Sequence, residues 1–456
     1  MASEVLATSP AAKASGNESM YKPRYIDIGI NLADPIYRGV YRGKQRHQDD
    51  LEAVISRAKQ VGCEKLLVTG SDLTSSRHAL EIAKEYPGVV YTTAGIHPCS
   101  SVMFSKSSPH AAELLSGDGS STPCNPDPEQ AMSESDHEVD EEKTASIISE
   151  LRSLIESAGT GGGGLVAYGE FGLDYDRLHY CSKTIQLHSF SAQLDLVLSL
   201  KPQLPLFLHS RAAHADFVRL LKQKFGPRLE RLEKGGVVHS FTGTREEMRE
   251  LADLGLYIGT NGCSFKTEEN CAVVREIPLD RLMLETDGPW CEVRPTHAGW
   301  RYLVDAKTKG EGIFFSSSNK TSSTRTPDDM VSISESSTTT TTPGTATPNP
   351  IIPEEVTTTP QTQARHAKQQ KQKHQQQQQQ NKKSKSHQKK EPELPERWPS
   401  VKAEKWVEGA MVKGRNEPCT IERVAQVVAG VRGDSLRDVC EAAWANTVKV
   451  FGLGDR

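Results

Sequence analysis

The sequence predicts an α/β protein built as one (β/α)8 barrel of the TIM type, and three observations carry that reading. Eight short apolar, β-branched runs recur along the chain, and helix-periodic stretches alternate with them. Setting aside the polar tracts leaves on the order of 280 residues, which suits one barrel better than two small domains. The strands are expected at 25–30, 65–69, 89–93, 165–168, 204–208, 236–238, 256–258 and 282–284. Between them the 3.6-residue apolar period predicts helices at 49–61, 73–85, 144–157, 184–200, 212–225 and 244–254, several opened by a Ser, Thr or Asp that suits an N-cap. Two more helices, 420–429 and 436–443, follow a long break.

Composition marks the breaks. Only 36% of residues are hydrophobic and the mean hydropathy is −0.53, low for a chain packed throughout. Residues 1–23 are polar, and disorder is expected there and in two insertions into the 24–456 barrel, at 100–164 and 307–396. Between Glu113 and Lys143 ten acids face one lysine, whereas between Gln361 and Lys390 one arginine and eight lysines meet no acid. The total charge of −4 is thus a cancellation of a −9 and a +9 segment, and the chain is not basic overall. No run of 18 apolar residues is present, so no ordinary membrane helix is expected, and the polar start lacks a secretory apolar core. The nine cysteines are scattered without a C-x-x-C pair, which fits reduced thiols in an intracellular protein of the cytoplasm or nucleus.

In such a barrel the chemistry gathers where strands end and the following loops begin. The polar residues there are reactive types: Asp27 on strand one, His97 after strand three, Glu170 and Asp174 after strand four, His209 and Arg211 after strand five, His239 after strand six, and Glu285 and Asp287 after strand eight. Taken singly, each reads best as a hydrogen-bonded core or loop residue. Taken together, Glu170, His209, His239 and Asp287 end separate strands with two imidazoles and two carboxylates, a mixed N/O set that suits Mg²⁺, Mn²⁺ or Zn²⁺. His97 precedes a proline and Asp174 reads as a capping or orienting residue, so neither is expected to ligate. His47, His78, His188 and His214 lie in helices or loops without partners, and structural or solvated roles are expected for them.

The series DIGINL, GIHP, GEFGLD, LHSR, HSFTG, ETDGPW and the late RNEP at 415–418 resembles the TatD family of metal-dependent deoxyribonucleases, of the eukaryotic TatD domain-containing type. The resemblance covers essentially the whole globular part. It implies a TIM barrel of the metal-dependent hydrolase (amidohydrolase-like) type, a divalent cation, and 3′ to 5′ exonuclease action on DNA as substrate, single-stranded or at 3′ ends. It assigns metal binding to Glu170, His209, His239 and Asp287, and it sets His97 and Arg211 near substrate phosphate. One departure stands out: many members open with D-x-H-x-H, whereas this chain has Asp27-Ile28-Gly29-Ile30-Asn31.

The expected reaction is hydrolysis of a phosphodiester by metal-activated water, with Asp287 as ligand and general base and with His97 and Arg211 neutralising phosphoryl charge. Two alternatives follow from the same residues. One is a metal-dependent hydrolase of another ester or amide, which the missing first-strand His pair disfavours. The other is an inactive barrel used as a binding scaffold, motivated by Gly29, Asn31 and the insertions.

Overall fold

The structure, a computed structural model, describes residues 21–106, 138–159, 164–313 and 394–454. Of the disorder expected at 1–23, residues 1–20 lie outside the described residues, as does the bulk of both insertions, whereas Tyr21 is described and its hydroxyl donates to Glu441 at 3.0 Å. Eight strands make one sheet in sequential order with every neighbouring pair parallel: β1 (Tyr25–Ile30), β2 (Cys63–Val68), β3 (Val90–Ala94), β4 (Leu165–Asp174), β5 (Leu206–Arg211), β6 (Gly236–Val238), β7 (Tyr257–Thr260) and β8 (Leu282–Leu284). The sheet curls into a barrel whose seam is held at its upper end, where Ile30 and Gly288 form a parallel bridge and Asp287 N–H donates to Gly29 O at 2.7 Å.

The helices are α1 (Leu51–Gln60), α2 (Leu73–Glu85), α3 (Glu141–Ala158), α4 (Lys183–Ser199), α5 (His214–Phe225), α6 (Arg245–Asp253), α7 (Glu268–Glu276), α8 (Trp300–Lys309), α9 (Ile421–Arg432) and α10 (Leu436–Phe451). Local sequence fixes their starts: Asp72 with Ser75 and Thr244 with Glu247 form capping boxes, and Asp140 caps α3 ahead of Glu141 and Glu142 in its first turn. The strands' outward side chains pack under these helices. The inward side chains Ile26, Ile28, Leu67, Ala167, Phe207, Val237, Tyr257 and Met283 fill the barrel. Trp444, Val450 and Phe451 of α10 join that inner cluster, and Asn446 of the same helix donates to the carbonyls of Leu279 and Leu282 where β8 begins, so α10 closes the barrel at its strand N-termini. Among the described residues no helix is long and apolar enough to cross a membrane.

The structure differs from the sequence expectation in four places. Strand four runs six residues further than 165–168, because its register shifts between Gly169 and Phe171 and pairing with β5 resumes beyond the bulge. Helices α7 and α8, absent from the expected set, fill the turns after β7 and β8. Inside the expected 100–164 insertion, residues 100–106 and 138–159 belong to the barrel: Ile147, Leu151 and Ile155 bury one face of α3, and Lys106 N–H donates to Glu138 O at 2.9 Å to pin the ends together. At the edges of the insertion expected at 307–396, α8 continues to Lys309, Ile313 N–H donates to Gln426 of α9, and residues 394–396 are again described.

Candidate active site

The bulge in β4 decides which way Glu170 faces. Side chains alternate along a strand, and Ala167 points into the barrel while Tyr168 points to the helices. Gly169 pairs with Phe207 and Phe171 with Leu208, and the unpaired residue between them, Glu170, shifts the parity, so that Phe171 and Leu173 pack outward and Glu170 and Asp174 turn inward beside the end of β5. His209 follows Phe207 by two residues on β5, and His239 follows Val237 by two at the end of β6, so both rings extend the inward rows.

Three of the four expected metal ligands meet at one point. Glu170 Oε1 lies 3.0 Å from His209 Nδ1 and 2.7 Å from His239 Nε2, and the two ring nitrogens are 3.1 Å apart. The opposite ring atoms each face a second carboxylate: His209 Nε2 is 3.1 Å from Asp174 Oδ2, and His239 Nδ1 is 3.3 Å from Glu285 Oε2. With both rings neutral, those carboxylates accept one ring N–H each, and a cation that displaces the second proton from His239 would meet lone pairs on His209 Nδ1 and His239 Nε2 converging with a carboxylate oxygen. This donor set fits a divalent cation.

The charges in this cluster support one another. Burial opposes the ionised form of Glu170, but the His239 imidazole and the hydrogen bonds from His209 and His239 outweigh it and hold its carboxyl well below the usual range. Burial likewise opposes a charged His239, and Glu170 and Glu285 override it and push the ring well up. Asp174, against its burial, is held low by His209.

His97 also reaches the cluster, with Nε2 3.3 Å from Glu170 Oε1. Its Nδ1 accepts from Cys99 N–H at 3.1 Å, so the neutral ring carries its proton on Nε2 and presents a donor, not a lone pair. Burial keeps this ring neutral by lowering its pKa, despite Glu170. His97, Glu170 and His209 form a buried group of metal-ligating type, and the tautomer separates His97 from the other two.

Asp287 sits apart from the trio. Its Oδ1 accepts from Asn31 Nδ2 at 3.3 Å, and its Oδ2 accepts from Ser240 Oγ at 3.3 Å and Cys291 Sγ at 3.2 Å. Asn31 in turn donates to Gly288 O and accepts from Thr69 Oγ1 at 2.6 Å, so its amide is occupied in fixing Asp287. The departure at Gly29 has a steric counterpart: a Cβ there would collide with Glu285 Oε2. Glu285 fills the space a side chain at 29 would need, and it also accepts from Ser240 N–H. The sequence reading gave Glu285 no role, although its place one position beyond the β8 apolar run was visible.

Asp27 belongs to the seam rather than the cluster. It accepts from Thr286 N–H at 2.9 Å, Thr286 Oγ1 at 2.5 Å and Gly29 N–H at 3.2 Å. The late RNEP segment braces the same loop: Asn416 Nδ2 donates to Thr286 O and Trp290 O on either side of Asp287, Arg415 grips Asp50 with two nitrogens, and Glu417 takes Arg57. Arg211 does not touch the cluster. It lines an adjoining groove of about 640 Å³ with Ser210, Phe241, Thr242, Arg245 and Asn270.

Residues 26–303 match the family described as TatD related DNase. The chain is 35% identical over 428 residues to "Deoxyribonuclease Tat-D" of Schizosaccharomyces pombe, covering 94% of this chain and 96% of that one. It is 34% identical over 267 residues to "3'-5' ssDNA/RNA exonuclease TatD" of Erwinia tasmaniensis, covering 58% of this chain and 79% of that one. In three dimensions it resembles the crystal structure of an uncharacterized amidohydrolase from Saccharomyces cerevisiae, with a TM-score of 0.64, 29% identity, and coverage of 94% of this chain and 100% of that one.

Proposed function

The chain belongs to the TatD related DNase family and is a hydrolase acting on ester bonds, and we propose that it removes nucleotides from the 3′ ends of single-stranded DNA in a reaction that requires a divalent cation. The observation that carries the proposal is the convergence of Glu170 Oε1, His209 Nδ1 and His239 Nε2 within 3.1 Å of one another, each ring backed by its own carboxylate. These atoms would hold the cation, with Asp287 as a fourth ligand. A cation of this kind supplies Lewis-acid polarisation of a phosphodiester and an acidified water.

The chain's own groups do the rest. Asp287, steadied by Asn31 and Ser240, accepts a proton from the attacking water. His97, held as the Nε2–H tautomer by Cys99 N–H, donates to a phosphoryl oxygen as charge builds there. The groove lined by Arg211 and Arg245 carries the strand, its guanidinium groups binding phosphates without reading sequence. The direction of digestion rests on the name of the bacterial relative.

The test uses single-stranded DNA labelled at either end. Mononucleotides are expected to appear first from the 3′ label, to stop with EDTA and to resume with Mg²⁺ or Mn²⁺. Glu170→Ala should lower the rate by about 10³-fold with little change in melting temperature. Digestion that ignores EDTA, or near-normal activity of Glu170→Ala, would sink the assignment.

A further inference from the structure

One pair of reactive groups at this rim has no part in the hydrolysis. Cys263 stands in the short helix Gly262–Phe265 after β7, and Cys291 stands in the loop after β8. Their sulfurs are 3.0 Å apart, and Cys291 S–H donates to Asp287 Oδ2 at 3.2 Å. Two features fix the approach. Asn261 caps the short helix by accepting from Cys263 N–H at 2.8 Å, and Gly262 lets the Cys291 carbonyl pack where any Cβ would collide with it. Asn261 also donates to Ser240 Oγ at 2.9 Å, so the loops after β6, β7 and β8 meet around this pair.

We propose that Cys263 and Cys291 form a reversible disulfide under peroxide, and that closing it lowers the turnover of the adjacent hydrolytic site. The second half of the proposal rests on the assignment of Asp287 to that site. The chemistry balances without further partners. Peroxide oxidises one thiol to a sulfenic acid with release of water; the other thiol attacks that sulfur, forming the S–S bond and expelling a second water. Two electrons pass from the sulfurs to the peroxide O–O bond. A disulfide bond is about 2.05 Å long, so the sulfurs need to close by roughly 1 Å from where the loops already hold them. The consequence falls on Asp287. Cys291 loses the proton it shares with Oδ2, which leaves that oxygen only the longer contacts to Ser240 at 3.3 Å and Asn261 at 3.5 Å. The carboxylate is then free to turn from the position that serves the attacking water.

The full chain is treated with hydrogen peroxide, free thiols are alkylated, and peptides are mapped with and without dithiothreitol. Nuclease turnover is read on the same samples. The expected result is a Cys263–Cys291 linkage that dithiothreitol removes, with at least a five-fold fall in turnover that returns on reduction. Cys263→Ser should form no linkage and keep its turnover through the peroxide step. No linkage between the two peptides overturns the proposal, as does linkage with unchanged turnover, or a Cys263→Ser protein that peroxide inactivates as fully as the parent. The mapping does not depend on activity, so a reduced protein that fails to digest DNA would count against the hydrolytic reading and leave the linkage to be judged by mass alone.

Discussion

The two ends of the barrel are made from the same strands and have opposite characters. At the N-terminal end the inward positions are Ile26, Ile28, Ala167, Phe207, Val237 and Met283, roofed by Trp444 and Phe451. A few residues further along those strands the inward positions become Glu170, His209, His239 and Glu285, every one of them buried. The barrel therefore changes within one or two side-chain layers from an apolar plug to a charged cluster. Burial alone does not distinguish the ends; partners do. Apolar groups need only be packed, whereas each charged group at the upper end has a specific counterpart, because an unpaired buried charge costs several kcal/mol.

The comparison predicts a clean separation of effects, and the largest single effect on stability is expected at the apolar end. Phe451→Ala removes a buried ring, 5% exposed, from the base of the plug. Unfolding by denaturant should report a loss of about 3–5 kcal/mol, while turnover of the folded protein stays within a few-fold of the parent. A large fall in turnover at unchanged stability would show that the two ends are not independent.

The sequence exposes the architecture better than it exposes the pairing. Alternation of apolar runs and helical periods was enough to predict eight parallel strands, since both signals are local. The reactive residues were equally legible, because His209 and His239 follow an apolar run directly and Glu170 and Asp287 come within three residues of one. What local pattern does not carry is parity: the bulge between Gly169 and Phe171 turns Glu170 inward, and a strict two-residue alternation starting from Ala167 would have pointed it at the helices. Nor does it carry long-range complementarity. Glu285 in the space beside Gly29, Asn31 on Asp287, and Asn416 on the Thr286 and Trp290 carbonyls join residues up to 256 positions apart and more visible in space than in sequence. The two thiols at 263 and 291 look scattered along the sequence for the same reason.

The carboxylates behind the histidines sharpen the comparison at the charged end. Glu285 uses both oxygens, Oε2 for His239 Nδ1–H and Oε1 for Ser240 N–H. A glutamine has one acceptor oxygen, so Glu285→Gln can satisfy only one of those donors and must turn its NH₂ toward the other. Titration calorimetry with Mn²⁺ should show a loss of roughly 10–100-fold in cation affinity with the fold intact. Unchanged affinity would mean that His239 is oriented by Glu170 and packing alone.

The smallest effect tests the boundary between the ends. Asp27 lies between Ile26 and Ile28 of the plug, yet its carboxylate faces Thr286 and Gly29 at the seam. Burial pushes its pKa up to about 8, against an ordinary value of 3.8, with the Thr286 hydrogen bonds opposing the rise. Between those values the folded chain keeps a proton that the unfolded chain has released. Stability from this group is therefore complete below pH 3.8 and declines as the pH rises toward 8. Asparagine matches the protonated shape, with Oδ1 accepting from the two N–H groups and Nδ2 donating to Thr286 Oγ1. Thermal melts at pH 5 and pH 8 should show that the parent loses stability over this interval and that Asp27→Asn loses less. Equal slopes would mean that the Asp27 carboxylate is ionised at the seam across the whole range, and that the charged character of the upper end extends down into the plug.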